Sequence, residues 1–133
     1  MEMTKKRLEA YKSEKQEIIE LRHKLHSLKP EKYTGNDVIM DYRSGYPVPQ
    51  SVVGTDIDAY WAHREYLISK ISHLEQRCQE VEQWIEQIPD STTRRIFRMY
   101  YEDGQGQQAI AMQLHVDQSR ISRKINAYLK ANN

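Results

Sequence analysis

The chain has few of the features that support a disulfide-bonded or membrane-spanning fold. Its 133 residues include one cysteine, Cys78, which excludes an internal disulfide and is compatible with a reducing cytoplasm. The longest apolar runs have four residues, whereas a membrane span needs about 18 and a secretory signal about 7 to 15. The length also excludes a large α/β enzyme fold. We therefore expect a polar, cytoplasmic protein with a thin core.

Glycine and proline are scarce outside one segment. Five of the nine lie between residues 35 and 54, which predicts a largely extended linker at about 29–54 and long helices elsewhere. Residues 3–28 contain neither, and an apolar stripe interrupted by Glu14 predicts an amphipathic helix that ends before Pro30. The stripe consists of Tyr11, Ile18, Leu21, Leu25 and Leu28.

The strongest periodic signal lies between residues 57 and 88. Ten positions alternate strictly by three and four, and Arg64 is the only polar residue among them. A seam this narrow favours a coiled coil, formed either with the first helix folded back or with a second copy of the chain. The apolar members predicted to mediate oligomerisation are Ile57, Tyr60, Leu67, Ile71, Leu74, Cys78, Val81, Ile85 and Ile88.

Three short helices are predicted after Pro89. Asp90 or Ser91 can cap the first, which extends to Tyr101. Its inward side chains are predicted to be Ile96, Phe97 and Tyr100, and its outward ones Arg94, Arg95 and Arg98. The second helix spans about 107–114, and a tight turn leads to a third helix that Asp117 caps and that ends near residue 129. The predicted organisation is a helical region at 1–89 and a separate domain at 90–133.

The last two helices have the pattern of a helix-turn-helix. Small and branched apolar residues occupy the positions of its core, and the opposite face of the third helix is rich in hydrogen-bond donors, the kind of side chain that reads base edges in the major groove. The predicted DNA-binding residues are Gln107, Gln108, Gln118, Ser119, Arg120, Ser122, Arg123, Asn126 and Lys130, with Arg94, Arg95 and Arg98 as a basic flank. That face contains no acidic residue, whereas an ordinary solvated face mixes in glutamate.

The charge distribution supports the same reading. The whole chain has a formal net charge of +1, but residues 90–133 carry an excess of three positive charges and residues 1–89 an excess of two negative ones. This asymmetry indicates a polyanionic partner for the C-terminal end only.

Two runs of sequence resemble region 4 of bacterial sigma factors: Ile110-Ala111-x-x-Leu114-x-Val116 and Ile121-Ser122-Arg123. Most of residues 35–130 resemble the small phage and prophage late-transcription regulators of the ArpU/RinA type, and the resemblance is specific mainly over residues 81–125. The segments that carry it are 36–38, 53–54, 84–90 and 94–101. This resemblance implies DNA binding near late promoters and control of packaging or morphogenesis genes. Two positions depart from the usual pattern. His115 occupies a turn position that is commonly glycine, and Lys124 a commonly apolar one, which predicts a rotated third helix or a core shared with Ile125 and Tyr128.

Other kinds of site have weaker support. His23 and His26 lie three residues apart on one helical face, which makes a metal site conceivable, but no accompanying metal-binding motif supports it. Cys78 lies in the apolar seam, and no phosphate-binding loop is present. We therefore expect an all-α, non-enzymatic protein without metal or cofactor, which binds double-stranded DNA as a homodimer or higher homo-oligomer. Two alternatives stay open: a DNA-packaging component resembling a small terminase subunit, and a coiled-coil adaptor that binds protein. The sequence also leaves open whether RNA polymerase is contacted.

Overall fold

The computed structural model describes residues 3–31 and 55–132, and the backbone of residues 38–41 and 48–51. The helices in these ranges are α1 (Lys5–Ser27), α2 (Thr55–Glu86), α3 (Ser91–Phe97), α4 (Gln107–Leu114) and α5 (Gln118–Ala131). A π-helical turn, Arg98–Glu102, directly follows α3. The predicted all-α fold class is confirmed. Nowhere in the described ranges does a helix have the length and apolarity that crossing a membrane requires.

The predicted extended linker contains a short β-hairpin. Strands β1 (Val38–Asp41) and β2 (Val48–Ser51) pair antiparallel, with Val38 opposite Ser51 and Asp41 opposite Val48. The backbone of these eight residues is therefore extended, as predicted, but it is also paired. The other linker positions between residues 32 and 54 lie outside the described residues.

The chain divides into two compact units, one formed by Met1–Glu17 with Leu74–Asn133 and the other by Ile18–His73. The first unit combines α3, α4 and α5 with the adjoining parts of α1 and α2. Sequence analysis instead placed a boundary between residues 89 and 90. The ring of Trp84, near the end of α2, packs on Phe97 of α3 with 5.7 Å between the ring centroids. The last turns of α2 therefore share a core with the C-terminal helices.

Within the first unit, α1 and α2 are antiparallel. Arg7 pairs with Glu80, and Glu14 pairs with Arg77 at 3.0 Å, so residue numbers rise along α1 as they fall along α2. Glu14 interrupts the apolar stripe of α1, and this ion pair explains how a carboxylate is accommodated there. Ion pairs that are fully exposed contribute little to the free energy of unfolding. These two are partly shielded from water, and they fix the register of α1 against α2.

The seam of α2 is covered within one chain. All but one of its apolar members are buried, namely Tyr60, Leu67, Ile71, Leu74, Cys78, Val81, Ile85 and Ile88. Ile57 is the exception, with 39% of its surface exposed. Buried residues of α1 accompany the seam in each unit, Leu8 and Tyr11 in the first and Ile18 and Leu21 in the second. Fold-back of α1 thus covers part of the seam, and the C-terminal helices cover the last turns of α2. The seam's role in joining copies of the chain stays a prediction.

Two buried tyrosines of the first unit differ in whether the hydroxyl group has a hydrogen-bond partner. The Tyr11 hydroxyl donates to Glu82 Oε1 at 2.9 Å, and burial together with this carboxylate holds the pKa of Tyr11 well above its usual value. The Tyr101 hydroxyl is buried and has no hydrogen-bond partner among the described residues. Burial raises the pKa of Tyr101 to about 12. The two side chains therefore allow a hydrogen-bonded buried hydroxyl to be compared with one that has no partner among the described residues.

Replacing each tyrosine with phenylalanine should have opposite consequences for stability. Tyr11→Phe removes a hydrogen bond to a charged acceptor and should lower the free energy of unfolding by about 1.5 kcal/mol. Tyr101→Phe removes an unsatisfied buried hydroxyl and should leave that free energy unchanged or raise it by up to about 1 kcal/mol. Urea denaturation followed by circular dichroism measures both. Equal losses in the two variants would contradict this assignment of partners.

Candidate nucleic-acid interface

Helices α4 and α5 are joined by a turn in which His115 has a left-handed backbone, with φ 57° and ψ 45°. The His115 N–H donates to the Met112 carbonyl at 3.4 Å and the Val116 N–H to the Ala111 carbonyl at 3.0 Å. This pair of bonds is the Schellman arrangement, which ends a helix and usually places glycine at the left-handed position. His115, which departs from the glycine common at this turn position, therefore has the left-handed geometry that such a turn requires.

Because a left-handed backbone costs a non-glycine residue about 1–2 kcal/mol, His115→Gly should raise the free energy of unfolding. Part of the gain is offset by the flexibility of glycine in the unfolded chain, which leaves about 0.5–1 kcal/mol. Ala109→Gly, at an exposed position within α4, is the matched control and should lower stability by about 1 kcal/mol. A loss of stability in both variants, measured by thermal or urea unfolding, would show that His115 is not strained.

The inner face of α5 anchors the helix. Ile121, Ile125 and Leu129 are buried on it, and Ile110 and Ala111 of α4 are buried as well. Tyr128 extends this face, since its ring lies 5.3 Å from that of Phe97. Of the two explanations offered for the unusual Lys124, the shared core is the one observed, because Ile125 takes the apolar role. Lys124 is half-buried at the side of the helix.

The outer face of α5 is polar and open. The exposed members of the predicted site are Gln118, Ser119, Arg120, Arg123, Asn126 and Lys130, whereas Ser122 is half-buried. Arg123 Nε donates to the Ser119 carbonyl at 3.3 Å, a weak bond that leaves the rest of the guanidinium accessible. No acidic residue occurs in Gln118–Ala131. The face can therefore donate hydrogen bonds without repelling a polyanion.

The start of α4 has no side-chain cap. Its N-cap residue is Gly106, which has no side chain that could accept a hydrogen bond from the first turn. Gln108 in the first turn is exposed, and Gln107 is half-buried. Amide groups at an uncapped helix N-terminus are free to donate to an anion, and the helix dipole favours negative charge there.

The three arginines predicted to flank the reading face have different roles. Arg94 is half-buried rather than outward, because its Nη1 donates to the Ile88 carbonyl at 2.8 Å. Arg98 Nη2 lies 2.9 Å from Glu86 Oε2, and Arg98 Nε lies 4.0 Å from Glu102 Oε2. Arg95 is exposed. Two of the three guanidinium groups thus neutralise or cap parts of the protein itself.

The π-helical turn changes which tyrosine faces the core. A regular α-helix through residue 101 would direct Tyr100 inward, as predicted from the sequence. The π-helical turn is wider and contains one more residue, so Tyr101 is the buried side chain and Tyr100 is only half-buried. The sequence carries no local signal for this turn, such as a proline or a glycine.

Metal or thiol chemistry has no visible centre in the described ranges. Nowhere in them do three histidine, cysteine or acidic side chains come together as a metal site would require. Cys78 is buried in the seam, and burial raises the pKa of its thiol. A thiol in such surroundings packs as a small apolar side chain rather than acting as a nucleophile.

Comparison with known proteins found no match to this chain among family models, curated proteins or solved structures.

Proposed function

We propose that α4, the turn at His115 and α5 form a helix-turn-helix that binds duplex DNA in a sequence-dependent way. The observation that carries this proposal is the two-sided character of α5. One side is fixed in the core by Ile121, Ile125 and Leu129, and the other presents mostly neutral and cationic polar groups, and no acidic residue of α5, to solvent. A helix held rigidly from behind can place its outer side chains reproducibly against base edges.

The outer side chains fit major-groove recognition. Arginine forms two hydrogen bonds with guanine and asparagine two with adenine, and serine serves either. Arg123 and Asn126 lie three residues apart, on one face of α5. We assign them to base contacts, with Ser119 and Gln118 nearer the start of the helix, where such readers approach the bases.

The biological role we propose is a cytoplasmic, non-enzymatic transcription regulator encoded by a phage or prophage and acting on late or packaging genes. Support for this part comes from the resemblance to ArpU/RinA-type regulators in residues 81–125. The paired α1 and α2 helices of the first unit are compatible with the helical region such a regulator carries before its reader. Enrichment of bound sites from a randomised DNA pool tests the proposal directly, because a sequence-specific reader yields one motif.

Arg123→Ala should weaken binding to the selected site by about 5- to 150-fold, which corresponds to the 1–3 kcal/mol of a base-reading arginine. Affinity for scrambled DNA should change little, because a base contact contributes mainly to specific binding. Fluorescence anisotropy on both DNAs measures the two affinities. Lys6→Ala, at an exposed position of α1, removes the same charge outside the reader and should change neither. Equal losses on both DNAs would assign Arg123 to a phosphate instead.

Two chains should occupy each selected site. One small reader buries too little surface for high specificity, and paired readers bind half-sites one helical turn apart. Light scattering of the complex should therefore show two chains of 15.8 kDa each per duplex. A single bound chain with full affinity would overturn the homodimer. A larger ring that forms without a preferred site would favour the packaging subunit, and absence of DNA affinity at low salt would favour the adaptor.

A further inference from the structure

A cleft between α3 and α5 contains three cationic side chains that the core does not use. Arg95 of α3 and Arg120 and Lys124 of α5 line it, and its volume is about 270 Å³. In the described part of the chain, none of the three takes part in an ion pair or hydrogen bond with another side chain. Three unpaired cations at one cleft repel one another, so an anion placed among them is stabilised.

Two carboxylates lie near the cations of this cleft, but neither is among the residues that line it. Asp117 lines a neighbouring pocket together with Arg120, and Asp90 caps α3. Lys124 and Arg94 contribute to lowering the pKa of Asp90, but the largest cause is hydrogen bonding from Thr93. Asp90 Oδ2 accepts the Thr93 N–H at 2.9 Å and the Thr93 hydroxyl at 2.7 Å. Its charge is thus engaged in capping α3. The cleft keeps an excess of positive charge.

The residues that line the cleft indicate which kind of ligand would fit it. Its apolar lining includes Ile96, Val116 and Ile121, and Thr92 adds a hydroxyl group. A lining that combines cations with apolar side chains suits a group that joins an anionic head to a weakly polar body. A backbone phosphate with its adjoining deoxyribose has this composition, and the cleft is larger than a bare phosphate needs.

The cleft also lies on the correct side of α5 for a DNA backbone. A helix advances by 100° per residue, so Arg120 and Lys124 lie about 60° and 100° around α5 from Arg123, on the same side. An α-helix with its side chains is about 10–12 Å across, and the major groove is about 12 Å wide. When Arg123 points at the bases, the flanks of α5 therefore face the phosphate walls of the groove.

We propose that the α3–α5 cleft clamps one backbone phosphate, with its adjoining sugar, of the duplex that α5 reads. This inference rests on the proposed function and deepens it. Arg95, Arg120 and Lys124 converge on the same phosphate, so the clamp fixes how deeply α5 enters the groove and at which rotation. Lys124, an unusual residue for its position in a helix-turn-helix, thereby acquires a role as a positioning residue.

The salt dependence of DNA binding tests whether the three cations contact the same phosphate. Each neutralised phosphate contributes about 0.9 to the slope of log K against log salt concentration. If the three cations share one phosphate, the triple variant Arg95→Gln, Arg120→Gln, Lys124→Gln should reduce the slope by about 0.9. Three separate phosphates would instead give a reduction of about 2.7. Affinity should fall on selected and scrambled DNA alike, and Lys6→Gln, at an exposed position of α1, is the matched control and should leave the slope unchanged.

A second measurement modifies the DNA and compares the unmodified chain with the triple variant. Neutral methylphosphonate groups replace the phosphates of the selected site one at a time, and binding of the unmodified chain is measured at each position. One position in each half-site should weaken that binding and have no effect on the triple variant. If every sensitive position affects both proteins equally, the cleft does not contact the backbone.

The failures of the clamp and of the proposed function are distinguishable. A slope reduced by about 2.7, or an unchanged slope with DNA binding intact, overturns the clamp and leaves the reader in place. Absence of DNA binding by the unmodified chain overturns both. Circular dichroism of the triple variant verifies that its helices are retained, and if they are not, the methylphosphonate series is measured with Lys124→Gln alone.

Discussion

The burial of Phe97 is the constraint on which the arrangement of the first unit depends. Its side chain is fully buried and contacts rings from both neighbouring helices. The ring centroids of Trp84 and Tyr128 lie 5.7 and 5.3 Å away. Inclined aromatic pairs of this kind add about 0.5–1.5 kcal/mol each beyond the burial of apolar surface. Phe97 therefore joins the end of α2 to α5 through the short helix α3, which is too short to be stable alone.

That junction determines which sides of α5 are available. Tyr128 and the buried aliphatic residues of α5 pack inward. Arg123 and Asn126 must therefore point to solvent, and Lys124 must lie beside α3. The surface of α5 is thus divided into a core side, a reading side and a cleft side by packing alone. The proposed DNA contacts follow from this division, since a rotation of α5 by one residue would bury Asn126 and expose Ile125.

Sequence analysis predicts the parts of this structure that depend on one helix at a time. The three-four periodicity of α2, the ends of α4 and a tight turn after it follow from local spacing and turn chemistry. The glycine-like geometry at His115 is suggested by the resemblance to a helix-turn-helix and not by local spacing. The sequence does not predict features that depend on a neighbouring element. The bond from Arg94 to the Ile88 carbonyl, the pairing of Glu14 with Arg77 and the cleft beside Lys124 require two helices to be in place. The π-helical turn that buries Tyr101 likewise reflects the packing of α3, which no local residue signals.

Net charge alone understates how the C-terminal region is organised for a polyanion. Residues 90–133 contain seven cations and four acidic residues, yet the structure uses these groups unequally. Arg94 and Arg98 act within the protein, and Asp90 caps α3. The five other cations are Arg95 and four residues of α5, namely Arg120, Arg123, Lys124 and Lys130. The cations outside these internal pairs therefore lie along α5 and at Arg95 beside it, where the proposed duplex would approach, and Asp117 is the acidic residue at the start of that helix.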